Sequence, residues 1–420
     1  MKHIVKTTVL AAAMAATCAS FATRAAADGD NLVIYHGWST PAEVSALQVL
    51  RDALAEQGIE WTDLAIPHNS GVNVSLVNMI TGGNPPNAFV ESNPGVYRDL
   101  EAQGLSLDLT ELYETTGIAD NLAPIVRELS MVDGRFVKVP VALHIDGMVY
   151  YNMEVAEAAG VDPTAWTSVD DMFASFDAVE AAGYMPVAVG SQAFQVGYLT
   201  HALVAAMAGP DIYNRIYGPE PDPTAFDTPE FAAVVDAVRR MSAYAGPETQ
   251  NRPWNETTNQ VITGNALMHI MGDWMKGEWR AAGKEPGVDF GCIPIPGAIA
   301  VPVTSDAFGL LGGQDEATTQ AELTFAETTL SPEVSAAFAV NKGATPARAD
   351  APAEMLDECN LVVQDLLAVE GGTVQNPFNI IDSDWNQAIW AAMFNFWSDP
   401  DMTTEEVVTE LKDEYDAIFY

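Results

Sequence analysis

The chain has 420 residues, with 58 acidic against 18 basic side chains and a formal net charge of −40, a field that repels nucleic acid and anionic lipid heads. At 48% hydrophobic and 18% charged residues it has the composition of a globular protein and not of a disordered one. The acids are scattered along the chain, so they read as a solvated surface and say little about a ligand.

The first residues predict a compartment. Lys2 and Lys6 precede an apolar stretch over 9–16, and Ala25-Ala26-Ala27 offers a small-residue cleavage site before Asp28. That order predicts a secretory signal peptide over 1–27, removed from a mature protein delivered to the periplasm. Cys18 falls inside it, preceded by Thr17 where a lipoprotein would carry Gly or Ala. No later stretch reaches the ~20 uninterrupted apolar residues of a membrane helix. The chain beyond residue 27 is too long for one ordinary core, so two lobes are expected. Past the leader stand Cys292 and Cys359. An even pair in an oxidising compartment favours one disulfide, with two buried thiols as the alternative. No CxxC or HxxxH spacing accompanies them, as zinc would require.

In chain order, 31–35 reads as a buried strand, and Val44, Leu47, Leu50 and Leu54 give 43–57 a helical period. Residues 59–66 return to strand and 72–80 to helix, before the break Gly82-Gly83-Asn84-Pro85-Pro86 and a short strand over 88–90. This β-α-β-α-β order predicts an α/β layer with parallel strands. Strands come next over 135–141 and 148–151, on either side of Leu143-His144-Ile145-Asp146-Gly147. Helices are predicted over 170–181, 196–207, 229–244, 385–397 and 405–418, and strands over 185–189 and 264–271. No repeat or low-complexity linker divides the chain, so the two lobes are expected to be interwoven.

Enzyme motifs are missing. The chain has no G-x-S-x-G elbow, no phosphate loop and no G-x-G-x-x-G. Its His residues share no helical face at i, i+4, and nothing singles out two of the 58 acids as a glycosidase pair. Aromatic and polar residues, however, fall together on predicted loops: Gly37-Trp38-Ser39-Thr40 with Glu43, Pro253-Trp254-Asn255-Glu256, and Met271-Gly272-Asp273-Trp274. Such segments suit a sugar, whose apolar ring face stacks on indole and whose hydroxyls need directional partners. For a single Trp, core packing is the simpler reading.

These segments belong to a longer ordered set: Gly82 to Phe89, Val139-Pro140-Val141 through Tyr151-Asn152, and Thr263-Gly264-Asn265-Ala266 through Trp274. Pro286 to Phe290, Ser305-Asp306-Ala307-Phe308 and Asn341-Lys342-Gly343 through Arg348 complete it. In that order the chain resembles extracellular solute-binding proteins of family 1, and among them the glucose/mannose-type sugar-binding proteins of ABC importers. The resemblance implies a two-lobed periplasmic-binding-protein fold of the α/β class, with a hinge of crossing strands and an interlobe ligand cleft. It implies chain crossings near Leu143, Thr304 and Gly343. The N-terminal lobe would comprise 28–142 plus 305–343, and the C-terminal lobe 143–304 plus 344–420.

By the same resemblance Trp38, Glu43, Trp254, Trp274, Asp306 and Lys342 are the sugar-contacting positions, and the Gly71 backbone approaches the ligand. The sequence departs from the glucose-type pattern at Val90, Ser92 and Ala142, and Gln375 falls near an expected His. His144, Asp146, Gln195, Asn376 and Asn379 are candidate replacements. The implied function is a sugar receptor that delivers its ligand to membrane permease subunits, a monomer without cofactor, metal or nucleic acid. A receptor for a polyol, polyamine or amino acid is the alternative, with a secreted glycosidase more remote; a cationic ligand sits poorly with Lys342.

Overall fold

The computed structural model describes residues 31–66, 76–91, 94–245 and 251–420; the expected leader over 1–27, Gly71 and Ser92 lie outside the described residues. Its strands are β1 (Asn31–His36), β2 (Glu60–Ala65), β3 (Ala88–Val90), β4 (Met131–Val132), β5 (Arg135–Phe136) and β6 (Lys138–Ile145). They continue with β7 (Met148–Asn152), β8 (Met185–Ala188), β9 (Ala266–Met271), β10 (Phe290–Pro294), β11 (Val301–Leu310) and β12 (Thr373–Gln375). Two sheets, each wrapped by helices, form the centres of two α/β lobes. Among the described residues no helix is long and apolar enough to cross a membrane.

The first sheet begins as the sequence predicts. β1 lies parallel to both β2 and β3, and helix Pro41–Glu56 makes the crossover between β1 and β2. Thr40 and Glu43 start that helix as a reciprocal capping box. Its buried stripe is Ala42, Ala46, Leu47, Leu50 and Leu54. Val44, counted on that face from the sequence, is 46% exposed, because the face runs through Ala46 instead.

β11 organises the rest. β6 runs antiparallel along one of its edges from Val303 to Gly309. The other edge takes β3 at one end, over 308–310, and β12 at the other, over 301–303. Between those partners, Thr304, Ser305 and Asp306 have no strand on that edge among the described residues. They are half-exposed while both ends of β11 are buried.

β6 also corrects a detail. The segment 143–145, placed outside the flanking strands by the sequence, continues the strand because Leu143, His144 and Ile145 pair with Ser305, Thr304 and Val303. The direction changes at Asp146-Gly147. There Gly147 has φ +78°, and a Cβ would press on Ala202 and Ile295, so glycine suits the corner.

The second sheet has the order β10-β7-β9-β8. Alternation along β7 sends Met148 and Tyr150 into one core and Val149 and Tyr151 into the other, so both faces are covered. The chain passes between sheets from β6 to β7 and from β10 to β11. A third link comes after helix Pro332–Lys342, where Thr345 and Leu143 exchange backbone bonds of 2.8 and 3.0 Å. Cys292 on β10 is bonded to Cys359 on helix Glu358–Leu367, with Cα atoms 5.9 Å apart. The disulfide, not the pair of free thiols, is the state present.

Candidate functional site

Alternation along a strand places every second side chain on one face. His144 lies opposite Thr304 in the β6–β11 ladder, so Asp306, two residues on, shares its face. The ladder shifts register between Asp306 and Ala307, at the stretch of β11 that lacks an outer neighbour. There His144 Nε2 lies 3.1 Å from Asp306 Oδ2 and His144 Nδ1 lies 2.6 Å from Asp273 Oδ1. Asp273 comes just after β9, and its backbone N–H donates to the Ile145 carbonyl.

Lys342, the last residue of its helix, completes the charged wall. Its Nζ is 3.6 Å from Asp306 Oδ2, 3.7 Å from Glu43 Oε1 and 5.4 Å from the centre of the Trp38 ring. Gly343 ends the helix at φ +90°, where a Cβ would stand 2.3 Å from the Gly277 nitrogen. Only glycine lets the Lys342 helix come this close to the chain just beyond Trp274.

The charges settle one another. Burial alone would lower the pKa of His144, but Asp273 and Asp306 outweigh it and raise it to about 9. Burial alone would raise Asp306, yet the charges of His144 and Lys342 hold it well below the usual carboxylate range. The wall thus presents a fixed carboxylate between two cations. Of the His144, Asp273 and Asp306 side chains, only Asp306 keeps appreciable exposure, 23% against 1% and 2%.

Against His144 packs an aromatic cluster, with Trp274 at 5.3 Å. Trp274, half-buried, packs at right angles to Tyr198 at 5.5 Å and to Trp254 at 6.5 Å. Phe194 and Phe378 flank Tyr198 edge-on and tilted. A Cβ on Gly272 would fall 2.1 Å from the Trp274 ring, so the glycine lets the indole fold back over its own chain. Beneath this cluster is a buried polar knot. Asp146 Oδ2 accepts from Asn376 Nδ2 at 2.6 Å and meets His201 Nε2 at 3.0 Å, and the Tyr198 hydroxyl bonds the Asn376 side chain.

The structure therefore brings together Asp306, Lys342, Glu43 and His144 on one side and Trp254 with Trp274 on the other. It reassigns several of the expected roles. Trp38 is 5% exposed and packs against Phe308 and Phe338, so it supports Lys342 from the core and offers no stacking face. Glu43 commits Oε2 to the Ser39 and Thr40 amides at 2.8 and 2.9 Å, which leaves Oε1 toward Lys342.

Gln375 turns outward, its amide donating to Glu128 at 3.3 Å. The candidate replacement groups already have partners. His144 has both nitrogens engaged, and Asp146 and Asn376 hold each other. Gln195 donates to the Arg252 carbonyl and to Gln192, and Asn379 donates to the Val303 carbonyl. Each has a hydrogen-bond partner remote in sequence, which local sequence does not reveal. Ala142 is fully buried and Val90 packs on the core.

Sequence reasoning missed Tyr198, Phe194 and Phe378. A signal existed for the first two: Phe194, Tyr198 and His201 recur at i, i+4 and i+7 on helix Ala193–Leu203, one face of a helix. Among the described residues no group of three His, Cys, Asp or Glu side chains is placed to hold a metal ion.

A family model for bacterial extracellular solute-binding proteins matches residues 38–323. The chain belongs to this family. A probable sugar-binding periplasmic protein of Mesorhizobium japonicum is 33% identical over 366 residues, covering 86% of either chain. A relative of the same description from Rhizobium meliloti is 30% identical over 425 residues, with 98% of either chain covered. Among solved structures, the bacterial solute receptor AcbH shares the family architecture at a TM-score of 0.77 and 18% identity, covering 93% of this chain and 99% of its own. Its described preference is for β-D-galactopyranose. Likeness at that identity speaks to the fold alone.

Proposed function

We propose that this solute-binding protein is the periplasmic sugar receptor of an ABC importer. The observation that carries the reading is the pairing of a half-exposed indole wall, Trp254 and Trp274, with the fixed carboxylate Asp306 braced by His144 and Lys342. A pyranose has one apolar face and a belt of hydroxyls. Indole takes the face, and an ionised carboxylate accepts strongly from two neighbouring hydroxyls. Lys342, already shared by two carboxylates, donates to ring or hydroxyl oxygens and disfavours a cationic ligand such as a polyamine. The relatives described as sugar-binding periplasmic proteins support the same ligand class.

Lobes of 28–142 plus 305–343 and 143–304 plus 344–420, hinged on β6, β11 and the Gly343 segment, would close on the sugar because both contribute to its site. Export on the 1–27 leader, a monomeric state, absence of turnover and docking of the closed form on permease subunits complete the proposal. The test is a thermal-shift screen of protein lacking residues 1–27 against aldohexoses, aldopentoses, polyols, amino acids and disaccharides. A ligand at a hundred times its Kd stabilises by about 2.7 kcal/mol. A panel in which an amino acid or polyol, and no sugar, raises Tm would overturn the reading.

A further inference from the structure

We propose that His144 is a positioning residue: without touching the ligand, its imidazolium clamps Asp306 of the first sheet against Asp273 of the second, and so makes ligand binding depend on its own proton. The inference rests on the sugar-receptor reading for the identity of the ligand, but not for the clamp itself.

The geometry carries it. His144 is 1% exposed and both ring nitrogens face carboxylate oxygens, at 2.6 and 3.1 Å. A neutral imidazole has one N–H, so one of these contacts would set a lone pair against an anion. With both carboxylates ionised, the ring fills both contacts only when doubly protonated. The two carboxylates belong to different lobes: Asp306 lies on β11, beside His144 in the same sheet, and Asp273 comes just after β9 in the other.

Trp274, the residue after Asp273, packs its indole at right angles to the His144 ring at 5.3 Å. One side chain therefore fixes the ligand-facing carboxylate and touches the ring that faces it. Behind Asp306 stands Lys342; behind Asp273 stand Lys276, Asp146 and the Tyr150 hydroxyl. Lys342 does not substitute for the clamp, since it lies 3.6 Å from Asp306 and is shared with Glu43. Burial disfavours the charged ring, and the paired carboxylates restore it, with a midpoint at about 9. Affinity is then level through neutral pH and falls as the proton leaves.

The experiment uses the chain from residue 28 onward, and as probe whichever of D-glucose, D-galactose, D-xylose or L-arabinose gives the largest thermal shift. Histidine-selective ¹⁵N spectra at pH 7.5 are expected to show one ring with both nitrogens protonated, absent from His144→Gln. Calorimetry is expected to show wild-type affinity falling about tenfold between pH 7.5 and 10. His144→Gln should be weaker by about the same factor at pH 7.5 and flat over that range. Asp273→Asn should move the wild-type fall toward neutral pH.

A neutral ring at pH 7.5, or a His144→Gln profile that parallels the wild type, overturns the clamp. A doubly protonated ring in a protein that binds none of the four sugars supports the clamp and counts against the sugar reading alone.

Discussion

The charged and the aromatic halves of the proposed site are stabilised in opposite ways. The charged wall is internally satisfied: Glu43 caps its helix, Lys342 spans Glu43 and Asp306, and His144 spans Asp306 and Asp273. Each side chain is held by partners from another segment, so little reorganisation remains when a ligand arrives. The aromatic wall makes edge-to-face contacts and keeps Trp254 and Trp274 half-exposed. It supplies area. A rigid polar wall confers selectivity, because a sugar epimer that misplaces one hydroxyl leaves a buried partner unpaired. An apolar wall tolerates such changes.

The largest expected effect concerns what braces the aromatic side. Lys276, just beyond Trp274, pairs at 3.0 Å with Asp357, the cap of the helix that Cys359 joins to β10. Replacing Cys292 and Cys359 by Ser should cost about 4 kcal/mol of stability in the chain-entropy picture, measured by urea unfolding. Sugar affinity in the folded fraction should change little; a selective loss of affinity would mean that the aromatic wall depends on this brace more than the charged wall does.

Next, Asp306→Ala should weaken sugar binding by about a hundredfold or more, near 3 kcal/mol, seen by calorimetry. The same variant sharpens the electrostatic side of the comparison. The His144 contribution to stability is fully present below about 6.5, since the folded ring's pKa lies above that ordinary value, and is lost as the pH rises through about 9. With one of its two carboxylates gone, the loss in Asp306→Ala should begin at lower pH, read as Tm against pH. Trp274→Ala should cost about 1.5 kcal/mol of binding and leave the pH at which affinity falls within the same range. Smallest of all, Gln375→Ala should leave affinity unchanged, because its amide is engaged with Glu128. A clear loss would return Gln375 to the ligand.

Much of the scaffold was legible because it is local. The β1-α-β2 opening, helix Pro229–Tyr244 and the two C-terminal helices carry their own periodicity; in the structure Thr40, Thr228 and Thr403 cap three of these helices. Less local elements shifted. The helix predicted over 170–181 is two helices, Val169–Ala174 and Phe176–Ala181, joined at Ser175, whose hydroxyl bonds back to the Met172 carbonyl. The one predicted over 196–207 begins at Ala193 and passes into a π-helical turn over Val204–Ala208.

At the site, residue types were readable and roles were not. A tryptophan looks the same in sequence whether it stays half-exposed, as Trp274 does, or is buried in a core, as Trp38 is. A histidine does not declare that both its nitrogens are taken.

Residue order alone determined the α/β class, the number of lobes and the collection of indoles, carboxylates and one lysine suited to a hydroxylated ligand, since periodicity and composition act over short stretches of chain. Tertiary structure decided which of them meet. Asp306 is presented because β3 and β12 leave a gap along β11, and His144 is charged because Asp273 and Asp306, 129 and 162 residues away, converge on it. Electrostatic energy depends on distance in space, and distance along the chain does not carry it.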